Sequence, residues 1–189
     1  MVTAELDGVK SVEEFHEEIC KQQKKAHGDR YCEHHDVIQN MIKNHDCKSY
    51  KELGTHQGAS AAAALLAMPK NVQLVDINFT LYRKYLKPLA ESYCQENNID
   101  LKIYETSSTN INSLGDPCDL LFIDSLHNTR HLEAELKLHK NNVRKYILFH
   151  DVNSTRGFPE VINKFCNQDN WEEIDRSDTR FGYMLIKKI

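Results

Sequence analysis

Several polar residues of the 189-residue chain stand at spacings that suit chemistry. The stretch YKELGTHQGAS (50–60) carries Glu52, Gly54, Gly58 and Ser60 between a short apolar run and an alanine-rich segment. A chain that turns sharply from a strand into a helix frees backbone N–H groups where nucleotides bind. Asp76 follows Gly58 by 18 residues, near the distance at which an acid accepts two ribose hydroxyls. Further on, FIDSLH brings Asp124 and His127, and LFHDV brings His150 and Asp151. Imidazoles of ordinary pKa can take a proton from a hydroxyl near neutral pH, and carboxylates beside them can hold a divalent cation. Ser107 and Ser108 follow the run LKIYE. His131 shares a helix face with His127, and as a lone helical histidine is expected to point to solvent or to the preceding turn. In YCEHHD, the residues Cys32, His34, His35 and Asp36 crowd together. Four metal ligands should come from two separated pairs, so this stretch reads as a solvated helix start.

The elements that must position these groups follow from the periodicity. The first 48 residues place Val12, Phe15 and Ile19, then Val37, Ile38, Met41 and Ile42, at helical spacing, which predicts two or three helices outside a sheet. Residues 1–48 form a helical extension on this reading, and 49–189 the core. From residue 49, short apolar runs alternate with amphipathic stretches: SYKEL, VQLVDI (72–77), LKIYE (101–105), DLLFID (119–124) and KYILFHD (145–151). That alternation predicts a parallel sheet with helices between its strands. Pro69 stops the alanine-rich helix, and Pro88 marks a kink or a new first turn within 81–97. WEEIDRS and RFGYMLIKK read as a closing hairpin at the sheet edge. The architecture is an open, mostly parallel α/β sheet, seven-stranded with a C-terminal antiparallel hairpin. Such sheets bind ligands beyond the carboxyl ends of their strands, where Gly54 to Gly58, Asp76, Ser107, Ser108, Asp124, His150 and Asp151 all fall.

Composition narrows the partners. The balance of 24 Lys+Arg against 28 Asp+Glu gives no basic field for a phosphate backbone, so no nucleic acid is expected. No run approaches a membrane span and the N-terminus lacks a signal-peptide layout, which predicts a cytoplasmic chain without membrane contact. Six cysteines are scattered without a Cys-x-x-Cys pair, and reduced thiols are the default.

Only two glycines serve the first turn, so the three-glycine fingerprint that admits a pyrophosphate is missing. Glu-x-Gly-x-x-x-Gly instead suits a smaller, zwitterionic ligand whose ammonium Glu52 faces, S-adenosylmethionine. The stretches YKELGTHQGAS, VQLVDI, DLLFIDSLHNTRHLEAEL and YILFHDV, in that order, resemble the class I S-adenosylmethionine-dependent methyltransferases. The likeness is to the small-molecule subgroup of catechol and macrolide-sugar O-methyltransferases and cephalosporin-hydroxylase-like proteins, over roughly residues 48–189. It implies a Rossmann-like fold. Gly54 and Gly58 would approach the methionine portion with Glu52 and Ser60 nearby, Asp76 would hold the ribose, and Ser107 and Ser108 would border the adenine or serve as ordinary turn residues. Asp124 would lie where the methyl group meets its acceptor, with His127 or His150 as the proton acceptor.

Metal-dependent relatives pair the fourth-strand Asp with two adjacent polar ligands on the fifth strand, here His150 and Asp151. Asp124, His150 and Asp151 would then hold a divalent ion, Mg or Mn. A histidine ligand is less natural for magnesium than for manganese, iron or zinc, and a metal-free hydrogen-bonded cluster is the other reading. KNNVRK, before the fifth strand, replaces the glycine-containing turn usual there. The expected partner is a small-molecule acceptor, with self-association as a homo-oligomer left open. Methylation of a macromolecule and a catalytically silent cofactor-binding subunit are the alternatives. The first lacks the Asn/Asp-Pro-Pro-aromatic motif, and retention of the Gly turn, Asp76, Asp124 and Asp151 argues against the second.

Overall fold

The structure, a computed structural model, describes residues 4–189. The N-terminal periodicity folds as two helices. α1 (Val12–His27) begins at Ser11, whose hydroxyl accepts the Glu14 N–H. Glu13 and Glu14 in its first turn and Lys24, Lys25 and His27 in its last match the helix dipole. Its buried stripe is Val12, Phe15 and Ile19, as the spacing predicts. α2 (Glu33–Asn44) buries Ile38, Met41 and Ile42, and also His34 and His35, which are 4% and 2% exposed. The solvated helix start expected at YCEHHD is therefore corrected. The first turn of α2 is wedged against the sheet, with His34 stacked on Phe122 and beside His150.

Seven strands follow: β1 (Ser49–Leu53), β2 (Asn71–Asp76), β3 (Asp100–Glu105), β4 (Cys118–Ile123), β5 (Val143–His150), β6 (Trp171–Arg176) and β7 (Tyr183–Lys188). Their order across the sheet is β3-β2-β1-β4-β5-β7-β6. β1 to β5 run parallel, while β7 pairs antiparallel with both β5 and β6, the predicted hairpin. Five further α-helices lie among the described residues: α3 (Ala59–Leu66), α4 (Thr80–Tyr85), α5 (Lys87–Asn97), α6 (Thr129–His139) and α7 (Phe158–Asp169). Pro88 lies in the first turn of α5, where its missing N–H costs nothing. The β4-to-β5 connection leaves α6 through a short turn at Lys140–Asn142, where Asn142 donates to the Leu114 carbonyl.

Alternation along the strands divides the core between the two faces. Tyr50, Leu74, Phe122 and Leu148 pack against α1 to α5, and Leu53, Val75, Ile123 and Phe149 against α6 and α7. Each such side chain contributes about 1.5–3 kcal/mol by leaving water. α1 and α2 both rest on α3, and so cover the turn that leads into it. Strand order reverses at β1, which has β2 on one side and β4 on the other, and this reversal opens a crevice at the carboxyl ends of β1 and β4. Leu53 pairs with Ile123 there, and the ladder continues as Asp124 N–H donates to the Leu53 carbonyl. Among the described residues, no helix is long and apolar enough to cross a membrane.

Candidate active site

The turn after β1 is fixed from two sides. Gly54 has φ +94°, and a Cβ on it would lie 2.2 Å from the Asp124 main-chain oxygen, so only glycine lets β1 and β4 converge here. The backbone N–H groups of Thr55 and His56 donate to one Asp76 oxygen, each at 2.8 Å, and Asn78 N–H donates to the other at 2.9 Å. Asp76 thus anchors the turn from the end of β2. Gly58, at φ +93°, precedes the first residue of α3; its Cβ direction leads to Leu86 and Tyr82, and it does not line the crevice. Packing against Tyr82 of α4 and Leu86 requires a glycine here, and its neighbours Gln57, Ala59 and Ser60 border the smaller cavity.

Glu52 lies under the turn, fully buried. Burial pushes its carboxyl up to about 7, against the opposing hydrogen bond that Tyr50 donates to Oε2 at 2.5 Å. Its Oε1 and the Thr55 hydroxyl have no hydrogen-bond partner among the described residues, although both are buried. The Ser60 and Thr55 side chains nevertheless lie close enough to favour its charged form, so the carboxyl is supported from within the turn.

Two cavities meet here. The larger, of about 420 Å³, is bordered by Gly54, His56, Asp76, Ser107, Ser108 and His131. The smaller, of about 30 Å³ and hence room for roughly one water, is bordered by Tyr31, His34, Ser60, Asp124 and His150. Gly54, His56 and Asp124 border both, which puts Asp124 between them.

Around Asp124 the predicted strand-end residues converge. His127 Nε2 lies 3.3 Å from Asp124 Oδ1 and 3.1 Å from Asp151 Oδ2. His150 Nδ1 lies 3.4 Å from Asp124 Oδ1 and 3.9 Å from Asp151 Oδ1. The three groups whose donor atoms lie within 4.8 Å of one another are Asp124, His127 and Asp151. The structure therefore groups the two carboxylates with His127, whereas the sequence reading chose His150 as the third ligand. His150 stands behind them, 4% exposed, under Tyr31 and His34. Asp151 is held at φ +57°, a left-handed conformation that aspartate tolerates better than most residues and that recurs at functional sites.

The charges answer one another. Burial alone would raise Asp124, but the imidazoles of His150 and His127 outweigh it and hold the carboxyl well below the usual carboxylate range. His127 is raised, chiefly by its hydrogen bond to Asp124. Burial works to lower His150, yet the Asp124 charge prevails and raises it. Asp151 is raised by burial.

His131 does not face solvent as expected. Its Nε2 lies 2.9 Å from Ser108 Oγ and 3.2 Å from Glu135 Oε1, and Ser125 Oγ donates to that same Glu135 oxygen at 2.5 Å. Ser108, His131 and Ser125 thus border the larger cavity, with Glu135 buried behind them and Ser107 tied locally to Thr109. Sequence reasoning missed Tyr31, His34, Ser125 and Glu135. Glu135 lies one helical turn beyond His131, a spacing that signals the pair; Tyr31 and His34 arrive by tertiary packing of α2, for which the sequence carries no local signal.

The fold is shared with solved methyltransferases. An O-methyltransferase from Bacillus cereus in complex with SAH superposes at TM-score 0.65 with 14% identity, over 97% of this chain and 93% of that one. TomG, an O-methyltransferase from Streptomyces achromogenes involved in tomaymycin synthesis and solved with SAM, gives 0.59 and 12%, over 82% and 79%. A ribosomal protein L11 methylase from Lactobacillus delbrueckii subsp. bulgaricus gives 0.63 and 15%, over 85% and 80%. No curated protein matches the chain. A family model described as a methyltransferase domain matches residues 51–152, more than half of the chain and a span that holds the glycine turn, Asp76 and the Asp124–Asp151 cluster; the chain belongs to this methyltransferase domain family.

Proposed function

We propose that this methyltransferase uses S-adenosylmethionine to methylate a hydroxyl of a small molecule. The observation that carries the reading is the position of Asp124 between the two cavities, ringed by His127, His150 and Asp151. The solved O-methyltransferases with SAH or SAM bound support it through the shared fold.

The residues suit that cofactor. A cavity of about 420 Å³ is within the usual range for a bound small molecule. The Asp76 carboxylate, although engaged by the turn, borders the cavity with acceptor capacity left for hydroxyls, and Glu52 lies buried beneath the same turn as the nearest carboxyl for an ammonium. Ser107, Ser108 and His131 border the same cavity. When bound, S-adenosylmethionine supplies an electrophilic methyl group on a positively charged sulfur. The protein aligns the acceptor with it and removes the hydroxyl proton. His127 is the group best placed for the proton, because it is the more accessible imidazole and bridges both carboxylates. Asp124 and Asp151 hold that ring and stabilise its charged form. Gln23 of α1 and His34 and His35 of α2 border the smaller cavity.

One imidazole with two carboxylates suits manganese, iron or zinc better than magnesium. If a metal is used, Asp124, His127 and Asp151 hold it and it acidifies the hydroxyl, in which case His150 is the free base.

Calorimetric titration with S-adenosylmethionine, then turnover on a panel of catechol-like and sugar hydroxyls with and without Mn²⁺ or Mg²⁺, tests the reading. Binding in the micromolar range and release of S-adenosylhomocysteine with one acceptor class is the expected result. Binding without turnover on any hydroxyl would overturn the acceptor assignment, and no binding would overturn the whole reading.

A further inference from the structure

A second group of ligating side chains lies between α1 and α2, with His35 also bordering the smaller cavity. His16 and Cys20 are four residues apart and share one face of α1, and His35 comes from the first turn of α2. Their donor atoms form a closed triangle: His16 Nε2 to His35 Nδ1 is 3.1 Å, Cys20 Sγ to His16 Nε2 is 3.5 Å, and Cys20 Sγ to His35 Nδ1 is 3.3 Å. Cys32 adjoins this group of three; its sulfur is 4.0 Å from the Cys20 carbonyl oxygen and its thiol now donates to Gln23 Oε1 at 3.4 Å, a contact it would exchange for the metal. In sequence these are His-x₃-Cys and Cys-x₂-His, the two separated pairs that YCEHHD alone does not supply.

Hydrogen bonding does not account for the triangle. Each ring nitrogen has either one N–H or one lone pair, and the Cys20 thiol has a single proton, so the three contacts cannot all be satisfied together. A cation at the centre satisfies all of them. Tetrahedral zinc, with Zn–N of about 2.05 Å and Zn–S of about 2.3 Å, separates two nitrogens by about 3.4 Å and a nitrogen from a sulfur by about 3.6 Å. The observed edges are within a few tenths of an ångström of those values.

We propose that His16, Cys20, Cys32 and His35 bind one divalent ion of the zinc class, which clamps α1 to α2. Binding releases the thiol protons of Cys20 and Cys32 to solvent and forms two metal–sulfur and two metal–nitrogen bonds. Two thiolates neutralise the dication, so the half-buried site carries no net charge. Burial disfavours the charged form of both imidazoles. A surface groove bordered by all four ligands, with Lys21 and Lys24 at its edge, provides the way in. The clamp acts on the roof of the methyltransferase site, because Cys32 and His35 flank His34, which borders the smaller cavity.

The test uses the full chain, stripped with a chelator under reducing conditions and titrated with Zn²⁺ or Co²⁺. Native mass spectrometry of the wild-type chain is expected to show one zinc gained and two protons lost. The cobalt form should show thiolate charge-transfer absorption and the intense visible bands of tetrahedral coordination. Cys20→Ser and His35→Ala should each weaken binding at least about 100-fold, the upper end of what losing a supporting contact to a ligand costs. The double variant Asp124→Asn, Asp151→Asn should retain this site, which separates it from the cluster at the strand ends. Wild-type chain that takes up no metal, or metal uptake unchanged in Cys20→Ser, overturns the proposal. A Cys20–Cys32 disulfide in protein purified without reductant, with no metal taken up after reduction, makes the pair a redox element and overturns it as well. Undiminished cobalt binding with a one-thiolate spectrum in Cys32→Ser and wild type alike removes Cys32 from the ligand set.

Discussion

Gly54 and Asp124 come from different strands, yet a single methyl group on Gly54 would press to 2.2 Å from the Asp124 carbonyl oxygen. The obstacle is backbone, so it cannot rotate away. This contact ties the first-strand turn to the strand end that carries the central carboxylate, and any shift of one moves the other.

Gly54→Ala should therefore destabilise the fold by about 2–4 kcal/mol, combining the left-handed φ with overpacking. It should also weaken S-adenosylmethionine binding by displacing the turn. Gly58→Ala meets side chains alone, the flexible end of Leu86 at 2.6 Å and the Tyr82 ring at 3.2 Å, and should cost roughly 1–3 kcal/mol while leaving cofactor affinity within about threefold. Urea unfolding and calorimetric titration of both variants separate the two effects. A folded Gly58→Ala chain that no longer binds the cofactor would restore Gly58 to the binding surface.

Asp76 has two tasks that substitution can divide. Alanine removes the acceptor for the Thr55 and His56 N–H groups and should cost about 1–3 kcal/mol of stability together with most cofactor affinity. Asparagine keeps one oxygen for the turn and should retain most of the stability, while weakening the cofactor by about tenfold through loss of the charge. Equal loss of stability in the two variants would show that the turn depends on the charge of Asp76 and not on its geometry.

The sheet was legible because its strands are short apolar runs separated by amphipathic helices, and because the strand ends carry the acids and histidines. Asp124, His127, His150 and Asp151 could be placed at one mouth from strand order alone. What was not legible depends on tertiary contact. Nothing in the residues near Gly58 says that its missing Cβ faces Leu86, and nothing near His34 says that α2 will press it onto Phe122. His127 against His150 was decided by the loop after β4, which folds His127 back over both carboxylates. The i, i+4 spacing of His16 and Cys20 went unremarked in the sequence because the residue that completes the group, His35, stands on another helix.

Glu52 gives the stability a definite pH dependence. Its folded pKa of about 7 is above the ordinary 4.5, so the unfolded chain loses this proton first as pH rises. Stability from this group is full below pH 4.5, falls between 4.5 and 7, and is then flat, with a total loss of about 3 kcal/mol. Glu52→Gln should abolish that fall and be the more stable protein at pH 8, while binding S-adenosylmethionine more weakly for want of a carboxylate facing the ammonium. Denaturant unfolding across pH 4–8 checks the first half. Calorimetry near pH 7 in two buffers of different ionisation enthalpy checks the second, since the wild type should release a proton when the cofactor binds and the variant should not.

The last prediction concerns which form of His127 works. A base acts when deprotonated, and hydrogen bonding to Asp124 raises His127 above its ordinary 6.5, so without metal the rising limb of kcat/KM should lie above pH 6.5. A metal ion held by Asp124, His127 and Asp151 would reverse that sign, because coordination requires the neutral ring and displaces its proton. Pre-loading with Mn²⁺ should then move the limb below pH 6.5 if the metal belongs to the reaction, and leave it in place if the cluster works as a hydrogen-bonded base. His127→Asn should reduce kcat by about 10²–10⁴ in the metal-free case, with the cofactor dissociation constant changed less than about threefold. A variant that kept both its rate and the position of its limb would remove His127 from the chemistry and leave His150, buried behind Asp124, as the remaining base.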